Sequence, residues 1–440
     1  MILRITIENL FSFNEETEIS FVAGKSTAHE KQIIRAKGRN DISTLKAGII
    51  YGANASGKSN IIKAVSLLQA IALKGVPNKY IEPFKLSAEP NKYSKVEVEF
   101  KYGPKYYAYG AVFTVKGINE EWLYDINSRE DKKIFTRKVE SNNNEFTFGA
   151  ISGDNETSQL LKFISHSTPF TDSFLSEYIK RNGRGLDSIN EAYDWMRNNL
   201  NIIFPESRFN GLSIRVEKDK DFAEATKSLL EYFNTGITDI RRTKIAKENT
   251  DLPNDLLNEI LSKSEPSTGV MIMSPNDTSM YYVETDALGT TSIYKQIAIH
   301  KSEDNREIPF EMYEESDGSI RLLDFIPMLI DLRLNDAVYL IDEIDRSMHP
   351  MLSQKILEYY FNYLSEERDT QLIFTTHESN LLNLDLIRSD EVWFVEKAHD
   401  GSSHLTSLSE YKPREDVRKG YLQGRYGAIP FFANINNLKW

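Results

Sequence analysis

Residues 52–59 constrain the fold of this chain more than any other stretch, because they read Gly-Ala-Asn-Ala-Ser-Gly-Lys-Ser. A glycine, four residues and then glycine, lysine and serine is the spacing of a phosphate-binding P-loop. The apolar residues 47–51 before the loop predict a buried strand, and residues 60–73 after it have the periodicity of a helix. A strand, this loop and a helix in that order predict an α/β core that binds a nucleotide.

The residue types of the loop suit close contact with a triphosphate. Gly52 and Gly57 let backbone N–H groups approach anionic oxygens, and the following helix directs its positive end toward the same oxygens. We expect Lys58 to contact the β- and γ-phosphates of ATP, and the Ser59 hydroxyl to bind Mg²⁺. The predicted ATP-binding residues of the loop are Gly52, Asn54, Ala55, Ser56, Gly57, Lys58, Ser59 and Asn60. The alternative, a glycine-rich turn that fits the pattern by accident, is disfavoured by the strand and helix on either side.

A second apolar strand, at residues 337–341, ends in the acidic pair Asp342 and Glu343. A buried parallel strand delivers such side chains to the carboxyl edge of its sheet, where α/β proteins bind their ligands. This is the form of a Walker B element. We therefore expect Asp342 to hold Mg²⁺, mainly through water, and Glu343 to act as the general base toward the attacking water. An acidic turn after a core strand is the alternative.

A third apolar strand, at residues 371–376, is followed by His377. A lone histidine is usually structural or solvated. Here it follows a core strand shortly after the Walker B element, so we predict that His377 senses the γ-phosphate and takes part in catalysis.

Composition limits the class of protein. With 440 residues the chain has room for two or three domains, and its net charge of −12 gives no overall attraction to nucleic acid. The chain has no cysteine, which excludes disulfides, thiol catalysis and cysteine zinc sites. The first residues alternate like a strand rather than a signal peptide, and no apolar run reaches the roughly 18 residues that span a bilayer. We therefore expect a cytoplasmic protein without membrane contact.

The remaining segments divide the chain into three predicted parts. Residues 1–150 hold the P-loop, a polar loop at 24–46, and three or four antiparallel strands near 96–124 that would form a second sheet. Residues 151–265 are helical and polar in pattern and predict a compact helical insertion. Residues 266–440 return to strands and hold the Walker B element.

Two further segments complete a family pattern. Residues 315–319 read Glu-Ser-Asp-Gly-Ser before a predicted helix, and residues 344–350 read Ile-Asp-Arg-Ser-Met-His-Pro. The order of P-loop, Ser-x-Gly turn, Walker B element, Asp345 segment and terminal histidine resembles the ATP-binding-cassette ATPases, particularly the SMC, RecF and OLD-like heads. More than half of the chain separates Lys58 from Asp342, as in the SMC-like branch, where material is inserted within the head.

This resemblance implies the fold and the assembly. The fold class would be α/β: an ABC-type P-loop ATPase head with a mixed central sheet, an antiparallel β subdomain and an inserted helical domain. Ser316 and Gly318 would be signature contacts that cap ATP held by another subunit, and Asp345 would be the D-loop residue. ATP sandwiched between heads would give a homodimer or a higher homo-oligomer. Because the turn departs from the usual Leu-Ser-Gly-Gly-Gln, a surface loop with a helix N-cap is the alternative.

A closer resemblance lies at the ends of the chain. Residues 7–13 (Ile-Glu-Asn-Leu-Phe-Ser-Phe), 50–60 and 421–430 (Tyr-Leu-Gln-Gly-Arg-Tyr-Gly-Ala-Ile-Pro) look like the bacterial abortive-infection ATPases of the RloA and AbiL type. That family implies an ATPase subunit in phage defence with a separate effector protein, such as one resembling RloB.

Two other functions remain open. An OLD-like nuclease needs a carboxylate metal site after the ATPase, and the acids available, Asp385, Asp390 and Glu391, look more like surface charges. A DNA-binding repair or structural ATPase of the RecF or SMC type needs a basic patch, for which residues 180–184 and 241–244 are the candidates. Nucleic acid is thus a possible but unproven partner.

Overall fold

The computed structural model describes residues 1–35, 42–77, 79–87, 93–140, 143–209, 211–263, 265, 268–274, 279–365, 367–411 and 416–429. Pro430 of the C-terminal segment and residues 36–41 of the predicted polar loop lie outside these residues.

The described strands are β1 (Ile2–Glu8), β2 (Thr17–Ser20), β3 (Ile33–Arg35), β4 (Ser43–Leu45), β5 (Ala47–Gly52), β6 (Ser94–Tyr102), β7 (Lys105–Thr114), β8 (Gly117–Asp125), β9 (Lys132–Glu140), β10 (Asn143–Phe148), β11 (Leu200–Ile203), β12 (Ile237–Ile245), β13 (Thr268–Met273), β14 (Met280–Thr285), β15 (Thr291–Lys301), β16 (Glu307–Glu311), β17 (Val338–Ile341), β18 (Gln371–Thr376), β19 (Val392–Lys397) and β20 (Ser403–Ser407). The described α-helices are α1 (Lys58–Lys74), α2 (Asn155–Ser167), α3 (Phe174–Lys180), α4 (Asp187–Asp194), α5 (Leu212–Lys218), α6 (Lys220–Phe233), α7 (Asn254–Lys263), α8 (Asp317–Leu334), α9 (Pro350–Asn362), α10 (Leu408–Tyr411) and α11 (Val417–Leu422).

Contacts divide the chain into two compact units. The first comprises Met1–Pro205, Asn335–Asp345 and Glu358–Trp440, and the second comprises Glu206–Leu334 and Arg346–Leu357. These limits differ from the predicted boundaries at residues 150 and 265, because the helices of residues 151–205 pack with the first unit.

The central sheet of the first unit has six strands in the order β11-β17-β18-β5-β19-β20. The first five strands run parallel, and β20 pairs antiparallel with β19. Every residue of β5 and β18 is buried, as is usual for parallel strands covered on both faces. Because β18 lies between β5 and β17, the P-loop, Asp342 and His377 all follow the same carboxyl edge of the sheet.

A second sheet of the first unit is antiparallel, with seven strands in the order β10-β9-β8-β7-β6-β1-β2. It is wider than the predicted three or four strands because β1 and β2 join one side and β9 and β10 extend the other. The P-loop helix α1 contributes Ile61 and Val65 to the same hydrophobic core as Ile5 and Val98 from this sheet. The predicted polar loop at residues 24–46 contains two short strands, β3 and β4, which form an antiparallel pair.

The second unit is built on a five-stranded antiparallel sheet in the order β12-β15-β14-β13, with β16 pairing to β15. The helices α5 and α6 contact β12, and α6 also contacts α8. The predicted insertion is therefore not purely helical. The strand β12 was not predicted, because apolar and polar residues do not alternate regularly in residues 237–245, which include the charged pair Arg241 and Arg242.

The predicted α/β fold class is confirmed: the first unit has a mixed central sheet and an antiparallel sheet beside it. No helix within the described residues is long and apolar enough to cross a bilayer.

Candidate nucleotide-binding site

The P-loop connects the end of β5 to the start of α1. Its backbone enters the left-handed region at Ala55, with φ 61°, and at Gly57, with φ 112°. At Gly52 an added Cβ would lie 2.6 Å from the carbonyl oxygen of Val395 on the neighbouring strand β19. Glycine is therefore required at the base of the loop by packing and at its end by backbone conformation.

The other predicted residues of the loop differ in exposure. Asn54 is exposed at the tip, whereas Ser56 is 3% exposed and its Oγ has no hydrogen-bond partner among the described residues. Ser59, the second residue of α1, is half-buried, and Asn60 Nδ2 donates to Ser12 Oγ at 2.8 Å. The loop thus presents a solvent-facing tip above a closely packed base.

Lys58 points back into the loop that carries it. Its Nζ donates to the carbonyl oxygens of Gly52 at 2.8 Å and Ala53 at 3.1 Å, and lies 3.5 Å from His377 Nδ1. Burial lowers the pKa of Lys58 to about 8, and the carboxylates of the Walker B region only partly oppose this effect.

Two serines that were not predicted from the sequence, Ser12 and Ser403, contact the P-loop or the helix that follows it. Ser403 Oγ, at the start of β20, donates to the carbonyl oxygen of Ser56 at 2.5 Å and lies 2.7 Å from Ser12 Oγ. A Cβ on Gly57 would meet both hydroxyls. Ser12 lies in the N-terminal segment that carried the family resemblance, but nothing in the sequence marks Ser403.

The Walker B carboxylates follow β17, as predicted. Asp342 is 4% exposed, and its backbone N–H donates to the carbonyl oxygen of Ile203 at 2.9 Å. Glu343 is half-buried and has a left-handed φ of 54°. Thr375 on β18 contacts both residues: its hydroxyl donates to Asp342 Oδ1 at 2.7 Å and accepts from the Glu343 N–H at 2.8 Å. This threonine was not singled out from the sequence, although it lies two residues before His377.

Asp345 and His377 lie at the same edge. The backbone N–H of His377 donates to Asp345 Oδ2 at 3.4 Å, and Asp345 Oδ1 has no hydrogen-bond partner among the described residues. Burial, together with the nearby ammonium of Lys58, lowers the pKa of His377 below its usual 6.5. The imidazole is therefore neutral near pH 7, so it has both a donor and an acceptor nitrogen.

Ser316 and Gly318 belong to the second unit, at the start of α8. Ser316 is exposed, and its Oγ accepts from the backbone N–H of Ser319 at 3.1 Å, which is the geometry of a helix N-cap. At Gly318 an added Cβ would lie 2.9 Å from the carbonyl oxygen of Ser347. The turn thus has the local structure of the alternative interpretation, while its exposure leaves Ser316 accessible to another molecule.

The residues at the sheet edge fit a nucleotide with a divalent cation. The buried Ser56 hydroxyl without a partner and the unpartnered Asp345 Oδ1 are polar atoms whose hydrogen-bonding capacity a ligand can satisfy. The hydrogen-bond partners of Lys58 are neutral, so its positive charge can interact with an anion, and Asp342 and Ser59 have the oxygen atoms that Mg²⁺ prefers.

Two of the three acids considered for a nuclease site are not surface charges, contrary to the sequence interpretation. Asp390 is 7% exposed and forms a two-pronged ion pair with the buried Arg388, at 2.9 and 2.8 Å, while also accepting from the Gly24 N–H. Glu391 is fully buried, and burial raises its pKa well above the usual value. Asp390 is therefore held by Arg388, and Glu391 is a core residue whose charged form is disfavoured by burial.

The two basic clusters considered for nucleic acid are compensated by acids. Arg241 pairs with Glu307 at 2.6 Å, and Arg242 pairs with Glu284 at 2.5 Å. In the other cluster, Arg181 pairs with Glu177 at 2.8 Å. These partners reduce the positive potential that DNA binding would require.

The C-terminal segment packs beside the P-loop strand. Tyr421 and Tyr426 stack on Phe394 of β19, with ring centroids 5.7 and 5.4 Å apart, and Tyr421 also contacts Tyr51 at 5.5 Å. Tyr51 is the residue directly before Gly52, so the described part of this segment supports the strand that delivers the P-loop.

The class of the protein follows from three features that lie at the ends of neighbouring parallel strands: a P-loop, a Walker B carboxylate pair and a histidine. Together they define a P-loop ATPase head. Residues 49–383 match the family described as "AAA domain, putative AbiEii toxin, Type IV TA system". Because this match spans more than half of the chain, the protein belongs to that family.

Similar solved structures are SMC heads. One is an SMC head bound to the C-winged helix domain of ScpA, with 14% identity, a TM-score of 0.41, and coverage of 93% of this chain and 99% of that one. Another is the SMC head domain from Thermotoga maritima, with 12% identity, a TM-score of 0.38, and coverage of 92% and 98%. No curated protein matches the sequence significantly.

Proposed function

We propose that this protein binds and hydrolyses ATP with Mg²⁺, assembles through the nucleotide, and thereby regulates a separate effector in cytoplasmic anti-phage defence. The observation that carries the proposal is the arrangement around Lys58. Its ammonium lies 3.5 Å from His377 Nδ1. The nearby carboxylates of Asp342, Glu343 and Asp345 favour its protonated form.

In the proposed reaction, the backbone N–H groups of the P-loop and the Lys58 ammonium bind the phosphate oxygens. Glu343 accepts a proton from the attacking water. The neutral His377 forms a hydrogen bond with the γ-phosphate and so distinguishes ATP from ADP. Mg²⁺, when held by Ser59 and Asp342, neutralises charge on the phosphates.

Assembly and effector control form the second part of the proposal. In the assembled state Ser316 and Gly318 of one subunit cap the nucleotide bound by the P-loop of another, with Asp345 at their junction. The exposure of Ser316 supports this role. The resemblance to RloA and AbiL supports a defence role with an RloB-like effector. The family description, which refers to a toxin and a toxin–antitoxin system, supports the defence role alone.

The decisive test compares the wild type with Glu343→Gln. Glutamine keeps the shape of the side chain but removes the base, so ATP turnover should fall at least about a hundredfold. The variant should also accumulate a larger, ATP-dependent assembly. Turnover and mass by light scattering, with and without ATP and Mg²⁺, measure both effects.

The control is Glu18→Gln, which makes the same chemical change at an exposed carboxylate on β2. It should behave like the wild type in both measurements. If Glu343→Gln hydrolyses ATP at the wild-type rate, Glu343 is not the base. If the mass measured by light scattering is the same with and without ATP in every variant, the proposed assembly through ATP is wrong.

A further inference from the structure

We propose that Thr375 is a positioning residue for the Walker B carboxylates, setting the orientation of Asp342 and the backbone of Glu343. The inference deepens the proposed function and rests on it, because it concerns the same metal ligand and general base. It gives β18 a role in the site beyond that of the histidine that follows it.

The threonine hydroxyl acts both as a donor and as an acceptor of hydrogen bonds. Thr375 is fully buried, and its single hydroxyl proton goes to Asp342 Oδ1 at 2.7 Å. Its lone pair accepts the Glu343 N–H at 2.8 Å. One hydroxyl therefore connects the carboxylate of the metal ligand to the backbone of the base.

The backbone of Thr375 holds the same turn. Its carbonyl oxygen accepts from the N–H of Ile344 at 3.1 Å, so three consecutive residues after β17 are tied to this one threonine. These hydrogen bonds help to hold the turn, because the φ of Glu343 is 54°, a conformation that non-glycine residues rarely adopt.

The consequence is a fixed direction for each functional group. The hydrogen bond from Thr375 to one oxygen restricts rotation of the Asp342 carboxylate, which would hold Mg²⁺. With its N–H held, Glu343 leaves the sheet at a defined angle. Hydrogen bonds to ligating carboxylates typically change metal affinity or activity by about 10- to 100-fold when they are removed.

The test uses Thr375→Val, which keeps the branched shape and removes the hydroxyl, and Thr375→Ser, which keeps the hydroxyl. Three quantities are measured: kcat for ATP, the Mg²⁺ concentration that gives half-maximal turnover, and the affinity for a non-hydrolysable ATP analogue with and without Mg²⁺. Thr44→Val is the matched control, because Thr44 is a buried β-strand threonine of the same unit whose hydroxyl has no partner among the described residues.

We expect Thr375→Val to lower kcat about 10- to 100-fold and to raise the Mg²⁺ requirement, while analogue affinity without Mg²⁺ stays unchanged. Thr375→Ser should recover most of the loss, and Thr44→Val should match the wild type. If Thr375→Val does not fold, as judged by thermal unfolding, Thr375→Ala removes the same hydroxyl without adding bulk and carries the same expectations.

Two outcomes overturn the inference. One is a hydroxyl-free variant with the wild-type kcat and Mg²⁺ requirement. The other is a serine variant as impaired as the valine variant, which would indicate packing instead of hydrogen bonding. If the wild type itself does not hydrolyse ATP, the proposed function fails, whereas the role of Thr375 is still decided by the Mg²⁺ dependence of analogue binding.

Discussion

At the residue scale, Lys58 is a cation in surroundings that oppose its charge. It is 5% exposed, and its hydrogen-bond contacts are two carbonyl oxygens and the imidazole of His377, which carry no full negative charge. Burial lowers its pKa to about 8 for this reason. A bound triphosphate would supply direct anionic partners, and these would favour the protonated form.

We therefore expect nucleotide binding to take up a proton above about pH 8. In the free protein Lys58 loses its proton above that pH, whereas in the complex the phosphates keep it protonated. Affinity should fall with rising pH there, by at most about tenfold per pH unit, and should be insensitive to this group below about pH 7. Isothermal titration of a non-hydrolysable ATP analogue, in two buffers of different ionisation enthalpy, counts the protons.

The control for this titration is Lys58→Arg, because arginine stays protonated throughout the range. Where this variant still binds, its proton uptake at high pH should vanish. A wild-type binding enthalpy that is independent of the buffer above about pH 8 would show that Lys58 does not change its protonation state on binding, which contradicts the prediction.

At the scale of elements, the P-loop depends on a neighbour far away in the chain. The hydroxyl of Ser403 on β20 binds the carbonyl oxygen of Ser56, and together with Ser12 it fills the space beside Gly57. The conformation of the loop is thus partly set by the antiparallel edge strand of the central sheet.

We predict that Ser403→Ala weakens nucleotide binding by about fivefold, since a lost buried hydrogen bond costs roughly 1 kcal/mol. The Ser56 carbonyl would lose its partner and the loop would be less well organised before binding. Equilibrium binding of the ATP analogue measures the effect. Ser402→Ala is the control, because that equally buried hydroxyl binds Asp400 at 2.6 Å instead of the P-loop. If the two variants bind the ATP analogue with equal affinity, Ser403 does not contribute to nucleotide binding.

Elements with strong local patterns were predictable from the sequence. β18 occupies the predicted residues 371–376, and α1 extends the predicted helix by only a few residues. In contrast, β11 and β12 were missed. β11 has only four residues, and β12 carries charged side chains that become acceptable through acid partners distant in sequence.

At the scale of the whole molecule, the proposed assembly makes a strong prediction about mixed subunits. Lys58→Ala should remove phosphate binding, and Ser316→Arg should block the cap presented to another subunit, so each variant alone should lack turnover. A dimer of one of each has one complete site. If subunits mix freely, an equimolar mixture should recover about a quarter of the wild-type rate, as expected for an interface with twofold symmetry.

The mixture is compared with each variant at the same total concentration. Failure to recover any turnover, in subunits shown to exchange, would mean that Ser316 does not act on the P-loop of another subunit. Its hydroxyl would then serve only the N-cap of α8 that the structure contains.

The sequence alone determined the P-loop, the Walker B element and the class of fold, because these depend on short-range spacing and on apolar runs that neighbouring residues define. Only the tertiary structure decided which groups hold the site in position. Thr375 contacts Asp342 across 33 residues, and Ser403 contacts Ser56 across 347. Such contacts arise from the order of strands in the sheet, and that order depends on the packing of the whole unit instead of any local pattern.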